Sequence, residues 1–563
     1  ETPKAPAAQP AAPPAPAAPA APKAPAAQPA APAAPKAPAA APAAPAPAKA
    51  TVPDWVSIGQ KKHYKGVIPM VMDAQPGFWD VHYGASATTV LTPSGPQFNQ
   101  LLEYNPTNPT EFIGDLAESW ETKDGGNTYT FRLHEATWWD GKPVTAQDVV
   151  FSLDRMVEPG ALRGRVVPLR RFYKHKTAQA IDDRTVKVPL IFPASTFLPW
   201  LAVDYFKIYA KHVVETKTQD QLNCCPENNI GSGPWLIKEW KRGDSYEYER
   251  NPNYFKKGRP FFDGRKVFPI QDYSRLLATL KTQQVMATAY MPSSFQPVDM
   301  LKVQEETKGR MRAMQAPNTS LYGFWFHWNK PPLDNPQVRR AIYLAVDRQE
   351  ILKIALSGYG QVAGFFPPGY VETDEALRQL PGYRQPKEQD LAEAKKLLAD
   401  AGYGSGMKLT FNIDQSKISR NHAEVLAAQL KKLGIELTLQ PADRATFYTR
   451  LRDATTNLST IGSGFYFNEP EAILDQWYAL DTQRNPHDWK HPRLTELMDL
   501  QGKEVNPAAR RAMFQEMAKI LQNGEGHYVP VFWANAGGSF DYRLQNFQPP
   551  YHPHTIWKWE HVW

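Results

Sequence analysis

The first fifty residues constrain the fold more than any other part of the chain, because they carry too little apolar surface to build a core. Residues 1–50 contain only Ala, Pro, Lys, Gln, Glu and Thr, and "PKAPAAQPAAP" occurs at Pro3–Pro13 and again at Pro22–Pro32. Burial in such a segment cannot offset the entropy lost on folding. The repeat predicts a stiff, polyproline-like spacer, which at about 3.1 Å per residue would reach on the order of 150 Å.

The rest of the chain is long enough for two or more lobes, since 563 residues are far more than one ordinary core needs. The formal net charge is +7, and the spacer contributes +3 of it through four lysines and one glutamate, which leaves +4 for the remainder. So small a charge over about 500 residues argues against a protein that binds nucleic acid.

The densest group of positive charges is the run "RRFYKHK", Arg170–Lys176, in which aromatic residues are interleaved with basic ones. Such a run could bind phosphate groups or a membrane surface, or it could be a solvated loop that leads into the strand "RTVKVPL". One short run is a small footprint for a binding surface. We therefore interpret it as a solvated loop.

Several features indicate an exported protein. No apolar run approaches the ~18 residues of a transmembrane helix, and no signal peptide is visible, so we expect one to have been removed ahead of Glu1. A long spacer ahead of a large body fits a periplasmic protein held away from a wall or membrane.

The adjacent Cys224 and Cys225 do not match the spacing of a zinc or redox motif. "CCPENN" predicts a loop, with a vicinal disulfide and free thiols both open.

The stretch "LHEATWWDGKPVTAQDVVFSL", Leu133–Leu153, contains acidic, histidine and tryptophan side chains that could belong to an active site. Alternation in "TYTFRL" predicts a strand just before it, and "DGK" predicts a turn. Thr145 is a suitable N-cap, with Asp148 three residues later on the favourable side of the helix dipole. Both carboxylates thus have local structural duties, and the stretch is interpreted as scaffold.

Strand and helix patterns alternate along the whole chain, which predicts a mixed α/β class with more than one sheet. Alternation on either side of "KRGDS" predicts a hairpin within Gly231–Phe255. Helical periodicity recurs in Asn335–Leu356 and in several later segments, and "SGPQFNQLLEY", Ser94–Tyr104, is predicted as a short helix.

Several long motifs, in one order, resemble the family 5 extracellular solute-binding proteins, the peptide- and nickel-binding components of ABC importers. The resemblance covers nearly everything from about Val67 to the C-terminus. It is carried by "DLAESWETKDGGNTYTFRLHEATWWDGKPVTAQDVVFSLDRM", "GSGPWLIKEWKRGDSYEYERNPNYF", "WNKPPLDNPQVRRAIYLAVDRQEIL", "GYGQVAGFFPPGY", "AKKLLADAGY" and "LAAQLKKLGIELTLQPADRATF".

This resemblance implies a two-lobed periplasmic-binding-protein clamp of type II, large and similar to oligopeptide-binding proteins. The implied division is an N-terminal lobe from 51–103, 226–317 and 530–563, a small extra subdomain of that lobe from 104–225, and a second lobe from 318–529. The scaffold stretch lies in the small subdomain.

The resemblance also implies where a ligand binds. In relatives that bind peptides, a segment resembling "FYFNEP" carries an Asp four residues before the proline, and that Asp pairs with the α-amine of the peptide. Here Pro470 is present, but the amine position holds Tyr466, a phenol that brings no charge. Ion pairing with a free amine is then lost unless Glu469 substitutes. Phe467 and Asn468 belong to the same segment. Gly464 is a further candidate in "SGFYF", which is small just upstream of that segment, where relatives place a bulky Trp.

Further candidates for ligand contact come from three other segments. In "PGFWDVHYGASATT", which matches a stretch that borders the cleft in relatives, strand-like contact is expected from Tyr83, Gly84, Ala85, Ser86 and Thr88. The aromatic candidates are Tyr322 and Trp325 in "LYGFWFHWN", Phe365 and Phe366 as exposed aromatics on a proline-fixed loop or as a cap of the lobe, and Trp533 in the late strand "YVPVFWAN".

The expected function is capture of a peptide or peptide-like ligand and delivery to an ABC permease, by a monomer without catalytic residues, metal or cofactor. "SGYGQVAG" has only part of a dinucleotide fingerprint, "IGSGF" is not a nucleophile elbow, and His552 and His554 beside Pro553 make a poor metal site. An opine, an oligosaccharide or a chelated metal remains open as ligand. A sensor or adaptor on the same clamp, or an enzyme, are the other classes.

Deletion of residues 1–50 is expected to leave the melting temperature and ligand affinity nearly unchanged. The reason is that ordering the spacer would cost entropy with no burial to offset it. Thermal unfolding of the full and the shortened chain measures this, and a loss of several degrees would show that the spacer packs on the body.

Overall fold

The computed structural model describes residues 65–84, 86–105, 108–161, 163, 165–291, 295–465, 469–478, 489–524, 526–547 and 558–563. The predicted spacer lies outside the described residues, and so do residues 51–64 and the histidines at 552 and 554.

The strands form one long mixed sheet, a four-stranded sheet and a two-stranded sheet. In chain order they are β1 Val67–Met72, β2 Leu102–Asn105, β3 Asn108–Gly114, β4 Ala117–Lys123, β5 Thr128–Leu133, β6 Gln179–Ala180, β7 Thr185–Pro189, β8 Trp235–Lys241, β9 Ser245–Arg250, β10 Gly264–Pro269, β11 Ala287–Thr288, β12 Met311–Phe326, β13 Gly360–Val362, β14 Met407–Asp414, β15 Ile435–Ala442, β16 Leu458–Gly464 and β17 Tyr528–Asp541.

The helices connect these strands and cover their faces. The longer ones are Ala146–Val157, Tyr273–Lys281, Pro297–Glu306, Pro336–Ala345, Arg348–Leu356, Glu388–Asp400, Lys417–Lys431, Arg444–Asp453, Pro470–Trp477, Pro492–Lys503 and Pro507–Leu521. Shorter helical segments are Ala87–Leu91, Thr92–Ser94, Gly95–Gln97, Asp124–Gly126, Val167–Arg171, Phe197–Leu201, Lys211–Val214, Gln219–Cys224, Pro226–Asn228 and Asp374–Arg378. The predicted mixed α/β class with more than one sheet is confirmed.

Two long antiparallel strands, β12 and β17, run through the middle of the long sheet. The strand order is β15-β14-β16-β12-β17-β11-β1-β10-β9-β8, with β13 added to β17. Met311–Ala316 pairs with the end of β17, and Ser320–Trp325 pairs with its beginning. One half of the sheet contains β11, β1, β10, β9 and β8, and the other contains β13, β14, β15 and β16. β12 and β17 contribute to both halves, and their register shifts between Ala316 and Ser320, where they pass from one half to the other. The predicted division into lobes, with crossings at 317/318 and 529/530, stays a prediction.

The stretch that was interpreted as scaffold follows β5 of the small sheet, whose strand order is β4-β5-β7-β6, and continues into helix Ala146–Val157. Helix Ala146–Val157 begins with a reciprocal capping box, in which Asp148 Oδ2 accepts from the Thr145 backbone N–H at 2.9 Å. Gly141 has a φ of 84°, which the predicted turn requires. The predicted turn and capping box are therefore confirmed. The helix predicted over Ser94–Tyr104 is wrong in its second half, since β2 begins at Leu102.

A buried group of charges joins distant parts of the chain on this side of the molecule. Asp115 is fully buried and lies 2.8 Å from Lys256 Nζ and 2.6 Å from Lys558 Nζ. The same two lysines contact Glu103, and Lys256 also contacts Glu560. Burial opposes ionisation of Asp115, but the two lysines outweigh it and lower its pKa to about 2. The last described residues, 558–563, are thereby fixed to the body.

The adjacent cysteines form a vicinal disulfide, Cys224–Cys225, at the end of helix Gln219–Cys224. This decides between the two states that the sequence left open. Among the described residues, no helix is both long and apolar enough to cross a membrane.

His422, on helix Lys417–Lys431, is buried among Phe324, Phe411 and Phe532, with ring-centroid distances of 5.9–6.5 Å. Among the described residues, neither of its ring nitrogens has a hydrogen-bond partner. Burial lowers the pKa of His422 to about 3. The neutral ring therefore stabilises the fold fully above the unfolded-state pKa, and this contribution is lost as the pH falls toward the folded-state value.

Replacement His422→Phe is expected to make the free energy of unfolding less sensitive to acid. With an unfolded pKa of about 6.5, one such histidine costs about 2 kcal/mol between pH 8 and pH 5. Urea unfolding of wild type and variant at both pH values measures the difference. An equal loss of stability in the two proteins would contradict a neutral, buried His422.

Candidate functional site

The segment Trp79–Leu91 is held in place by one buried carboxylate, that of Asp80. Arg155 donates to both of its oxygens at 2.5 and 3.2 Å, and Gln219 Nε2 and the Tyr209 hydroxyl donate at 2.7 and 3.1 Å. Burial opposes ionisation, but Arg155 outweighs it and holds the pKa of Asp80 below its usual range. The carboxylate is thus a fixed charge that organises the loop before the predicted contact residues.

The predicted contact residues of this segment have specific local roles. Tyr83 is half-buried with its ring 5.4 Å from that of Phe78. At Gly84 a Cβ would lie 2.3 Å from the Val90 side chain, so the close approach requires glycine. Ser86 is extended and caps the helical turn Ala87–Leu91, where its Oγ accepts from the Thr89 N–H at 3.3 Å.

The expected strand-like backbone is wrong for Thr88, because this residue lies inside the helical turn Ala87–Leu91. Ser86 is the last extended residue before that turn. Ala85 lies outside the described residues. Ligand contact by Tyr83, Gly84, Ser86 and Thr88 stays a prediction.

Tyr322 lies in β12 between two register shifts, one at Ala316/Ser320, where the strand passes from one half of the sheet to the other, and one at Tyr322/Gly323. Its ring stacks on Phe532 with centroids 5.2 Å apart. From the other half of the sheet, Tyr290 contributes a buried phenol. Burial raises the pKa of Tyr290 far above its usual value, and neighbouring Tyr205 and Asp73 raise it further. The phenol of Tyr322 also raises the pKa of Tyr290.

Four other aromatic candidates are packed inside the second half of the molecule, namely Trp325, Phe365, Phe366 and Trp533, and none is more than 3% exposed. Phe365 lies against Tyr528, and Phe366 against Phe514, with centroids 6.4 and 5.6 Å apart. The expected exposure of the two phenylalanines is therefore wrong, because both close the interior of this half. Contact of the four residues with ligand stays a prediction.

Glu469 is the described end of the segment that was expected to hold the ligand amine. Its carboxylate accepts from Arg510 Nη1 at 2.9 Å and from the Tyr370 hydroxyl at 3.3 Å. Burial raises the pKa of Glu469, and Arg510 opposes the shift. Gly464 ends β16, opposite Ser320 of β12. Tyr466, Phe467 and Asn468 lie outside the described residues.

The sequence did not indicate Arg510 or Tyr370 as neighbours of this segment. Arg510 is on helix Pro507–Leu521, about forty residues later in the chain, and Tyr370 is on a loop a hundred residues earlier. Helical periodicity identifies the buried side of Pro507–Leu521, but it does not specify what the buried guanidinium contacts.

Charged and aromatic side chains of the described residues in this region are engaged with one another. Buried aromatic rings and phenols surround the meeting of the two sheet halves, and the described carboxylates of Asp80 and Glu469 are engaged by arginines. Within the described residues, no group of three or more His, Cys, Asp or Glu side chains could hold a metal ion.

The chain is similar to periplasmic binding proteins of known sequence and structure. Two similar curated proteins, both from Escherichia coli strain K12, are the periplasmic oligopeptide-binding protein OppA and the probable deoxycholate-binding periplasmic protein YgiS. Each is 26% identical to this chain; OppA aligns with 74% of this chain and 78% of its own length, and YgiS with 74% and 79%.

A solved structure with the same fold is that of the binding protein AgaA from A. tumefaciens R10 in complex with agropinic acid. Its TM-score is 0.74 at 21% identity, with 88% of this chain and 98% of that chain covered. The type II clamp architecture implied by the sequence is confirmed by this likeness.

The family model of the bacterial extracellular solute-binding proteins, family 5, matches residues 111–485, which is well over half of the chain. This match shows that the chain belongs to the family 5 extracellular solute-binding proteins.

Proposed function

We propose that the protein captures a peptide-like ligand without a free α-amine in the cleft between its lobes and delivers it to the permease of an ABC importer. The protein acts in the periplasm, after export and loss of a signal peptide, and its contribution is binding without catalysis. The ligand contacts are those predicted from the sequence, with Tyr466 at the position that selects the ligand class.

The contacts of Glu469 carry this proposal. If Tyr466 brings no charge, Glu469 is the nearest alternative partner for a ligand ammonium in the same segment. Its carboxylate is already paired with Arg510 at 2.9 Å and bonded to Tyr370. A buried ammonium without a counter-charge is costly, so a ligand with a blocked or absent amine is favoured.

The peptide-like class is supported by the relative OppA, an oligopeptide-binding protein. Two other similar proteins favour a second candidate, a solute that is not a peptide. YgiS is named for deoxycholate, and AgaA was solved with agropinic acid, an opine. A non-peptide acid of this kind also lacks the terminal amine that Tyr466 would fail to pair.

Replacement Tyr466→Asp is expected to improve binding of free-amine tripeptides, because a carboxylate supplies the counter-charge for the ammonium. The gain is about 1–3 kcal/mol, the usual value of a hydrogen bond to a charged group. Calorimetry with trialanine and N-acetyl-trialanine, on wild type and variant, measures the change.

Tyr542→Asp is a matched control, because Tyr542 is an exposed tyrosine on a distant loop and should leave both affinities unchanged. Tight binding of trialanine by wild type, with a strong loss on N-acetylation, would contradict the proposal and indicate Glu469 as the partner of the amine.

Ligand binding is expected to close the clamp and reduce the radius of gyration, because a ligand that contacts both lobes favours the closed state. Solution scattering of the protein with its co-purified ligand, and again after that ligand has been removed by unfolding and refolding, measures this. Mass spectrometry of the released ligand identifies its class. Identical profiles at saturation would contradict hinge closure.

A further inference from the structure

The basic run Arg170–Lys176 contains one side chain that reaches the opposite lobe. Arg171 ends the helical segment Val167–Arg171, which belongs to the connections of the small sheet. Its Nη1 lies 2.6 Å from Oε1 of Glu471, at the start of helix Pro470–Trp477. The contact is an ion pair and not an aligned hydrogen bond, since this carboxylate oxygen has no hydrogen-bond donor. For Arg171 the interpretation as a solvated loop is therefore wrong.

The burial of this pair is unequal. The Glu471 side chain is completely buried, whereas the Arg171 side chain is 30% exposed. A carboxylate without access to water depends on nearby cations for its charge. On its other side, Glu471 Oε2 accepts from Arg510 Nη2 at 3.3 Å.

Arg510 is shared between two carboxylates. It pairs with Glu469 at 2.9 Å and with Glu471 at 3.3 Å, and its own side chain is 7% exposed. Within this group the second lobe supplies two negative charges and one positive charge. Arg171, from the small-sheet side, supplies the second positive charge and completes the balance.

Other contacts follow the same boundary. A Cβ on Gly502 would lie 2.9 Å from Arg171 Nη2, so the guanidinium packs directly against the end of helix Pro492–Lys503. Lys503 Nζ lies 5.9 Å from the ring centroid of Phe192 in the small-sheet region. Burial, together with the charge of Glu469, raises the pKa of the Tyr104 phenol, which places Tyr104 near the carboxylate from the other side.

We infer that Arg171 is a positioning residue for ligand capture: its ion pair with Glu471 stabilises the closed clamp and thereby slows ligand escape. When the lobes separate, Arg171 leaves, and Glu471 keeps only a share of Arg510. Opening therefore breaks the Arg171–Glu471 ion pair, whether or not the cleft holds a ligand, and leaves water in place of the guanidinium beside this carboxylate. The inference rests on the proposed clamp function and adds a residue to it that acts through the lobe geometry.

The test measures the distance between the lobes in the full chain. Spin labels on Lys187→Cys, in β7, and Lys395→Cys, in helix Glu388–Asp400, are placed at exposed positions on the two sides. The native cysteines are joined in a disulfide and do not take the label. Pulsed electron resonance gives the ratio of closed to open molecules without ligand and with N-acetyl-trialanine as the probe.

Arg171→Gln is expected to lower the ratio of closed to open molecules about tenfold, because a buried carboxylate loses one of its two cations. Arg171→Lys should restore part of the ratio, since it keeps the charge. Gly502→Ala should also lower it, because the added methyl displaces the guanidinium, while helix propensity predicts no loss of thermal stability.

Two controls match these variants. Arg184→Gln removes an arginine whose partners, Glu118 and Glu135, lie on its own side, and Gly526→Ala adds a methyl where no atom lies within 4 Å. Both should leave the ratio unchanged.

Coincident distance distributions for wild type and Arg171→Gln would overturn the inference. A wild-type chain that shows no closed distance, with or without the peptide, would overturn it as well. Failure of N-acetyl-trialanine to shift wild type, with a difference between wild type and Arg171→Gln in the ligand-free samples, would count against the proposed ligand class and leave the ion pair supported.

Discussion

The antiparallel pairing of β12 and β17 is the constraint on which the rest of the structure depends. Both strands continue from one half of the long sheet into the other, and their backbone hydrogen bonds are kept on either side of the register shift between Ala316 and Ser320. Breaking buried backbone hydrogen bonds is costly, so the lobes cannot separate as independent bodies. Under the proposed clamp function, opening is expected to bend and twist these two strands and to leave them paired. A second register shift follows between Tyr322 and Gly323, so the predicted contact residue Tyr322 lies between the two irregularities.

Buried carboxylates fix the parts that surround this crossing. Asp80 holds the loop before Ser86 through Arg155, Tyr209 and Gln219, and Asp115 ties the last described residues to the body through Lys256 and Lys558. Each of these carboxylates is compensated by residues of the predicted N-terminal lobe. Glu471 differs, because part of its compensation comes from Arg171 across the boundary. The charge of Glu471 is fully balanced only while Arg171 is in contact with it, so this ion pair couples to lobe closure in the inference above. The buried carboxylates of Asp80 and Asp115 stabilise the fold alone.

The same group of residues links the proposed ligand class to closure. Arg510 pairs with Glu469 and with Glu471, so one guanidinium serves both the ligand segment and the lobe boundary. Because Arg510 engages Glu469, this carboxylate is not available to pair with a ligand amine. Because the same guanidinium is shared with Glu471, this second carboxylate depends on Arg171 for the rest of its compensation. A binding protein built in this way would favour uncharged or N-blocked ends in this part of the cleft, since a ligand ammonium would compete with Arg510 for the same carboxylates.

Elements that depend on neighbours along the chain can be predicted from the order of the residues alone. Alternation in Thr128–Leu133, the Gly141 turn and the Thr145–Asp148 capping box are local, and the structure confirms each of them. Motif order also determined the family and the type II clamp. The burial of Phe365 and Phe366 depends on tertiary packing, and so does the ion pair in which Arg510 engages Glu469. The disulfide between Cys224 and Cys225 is likewise established by the folded structure. The burial and the ion pair depend on packing between segments that are forty to a hundred or more residues apart. The cysteines could be joined or free with the same sequence. No periodicity encodes such contacts, because a side chain's partners across the fold are set by where the whole chain places them.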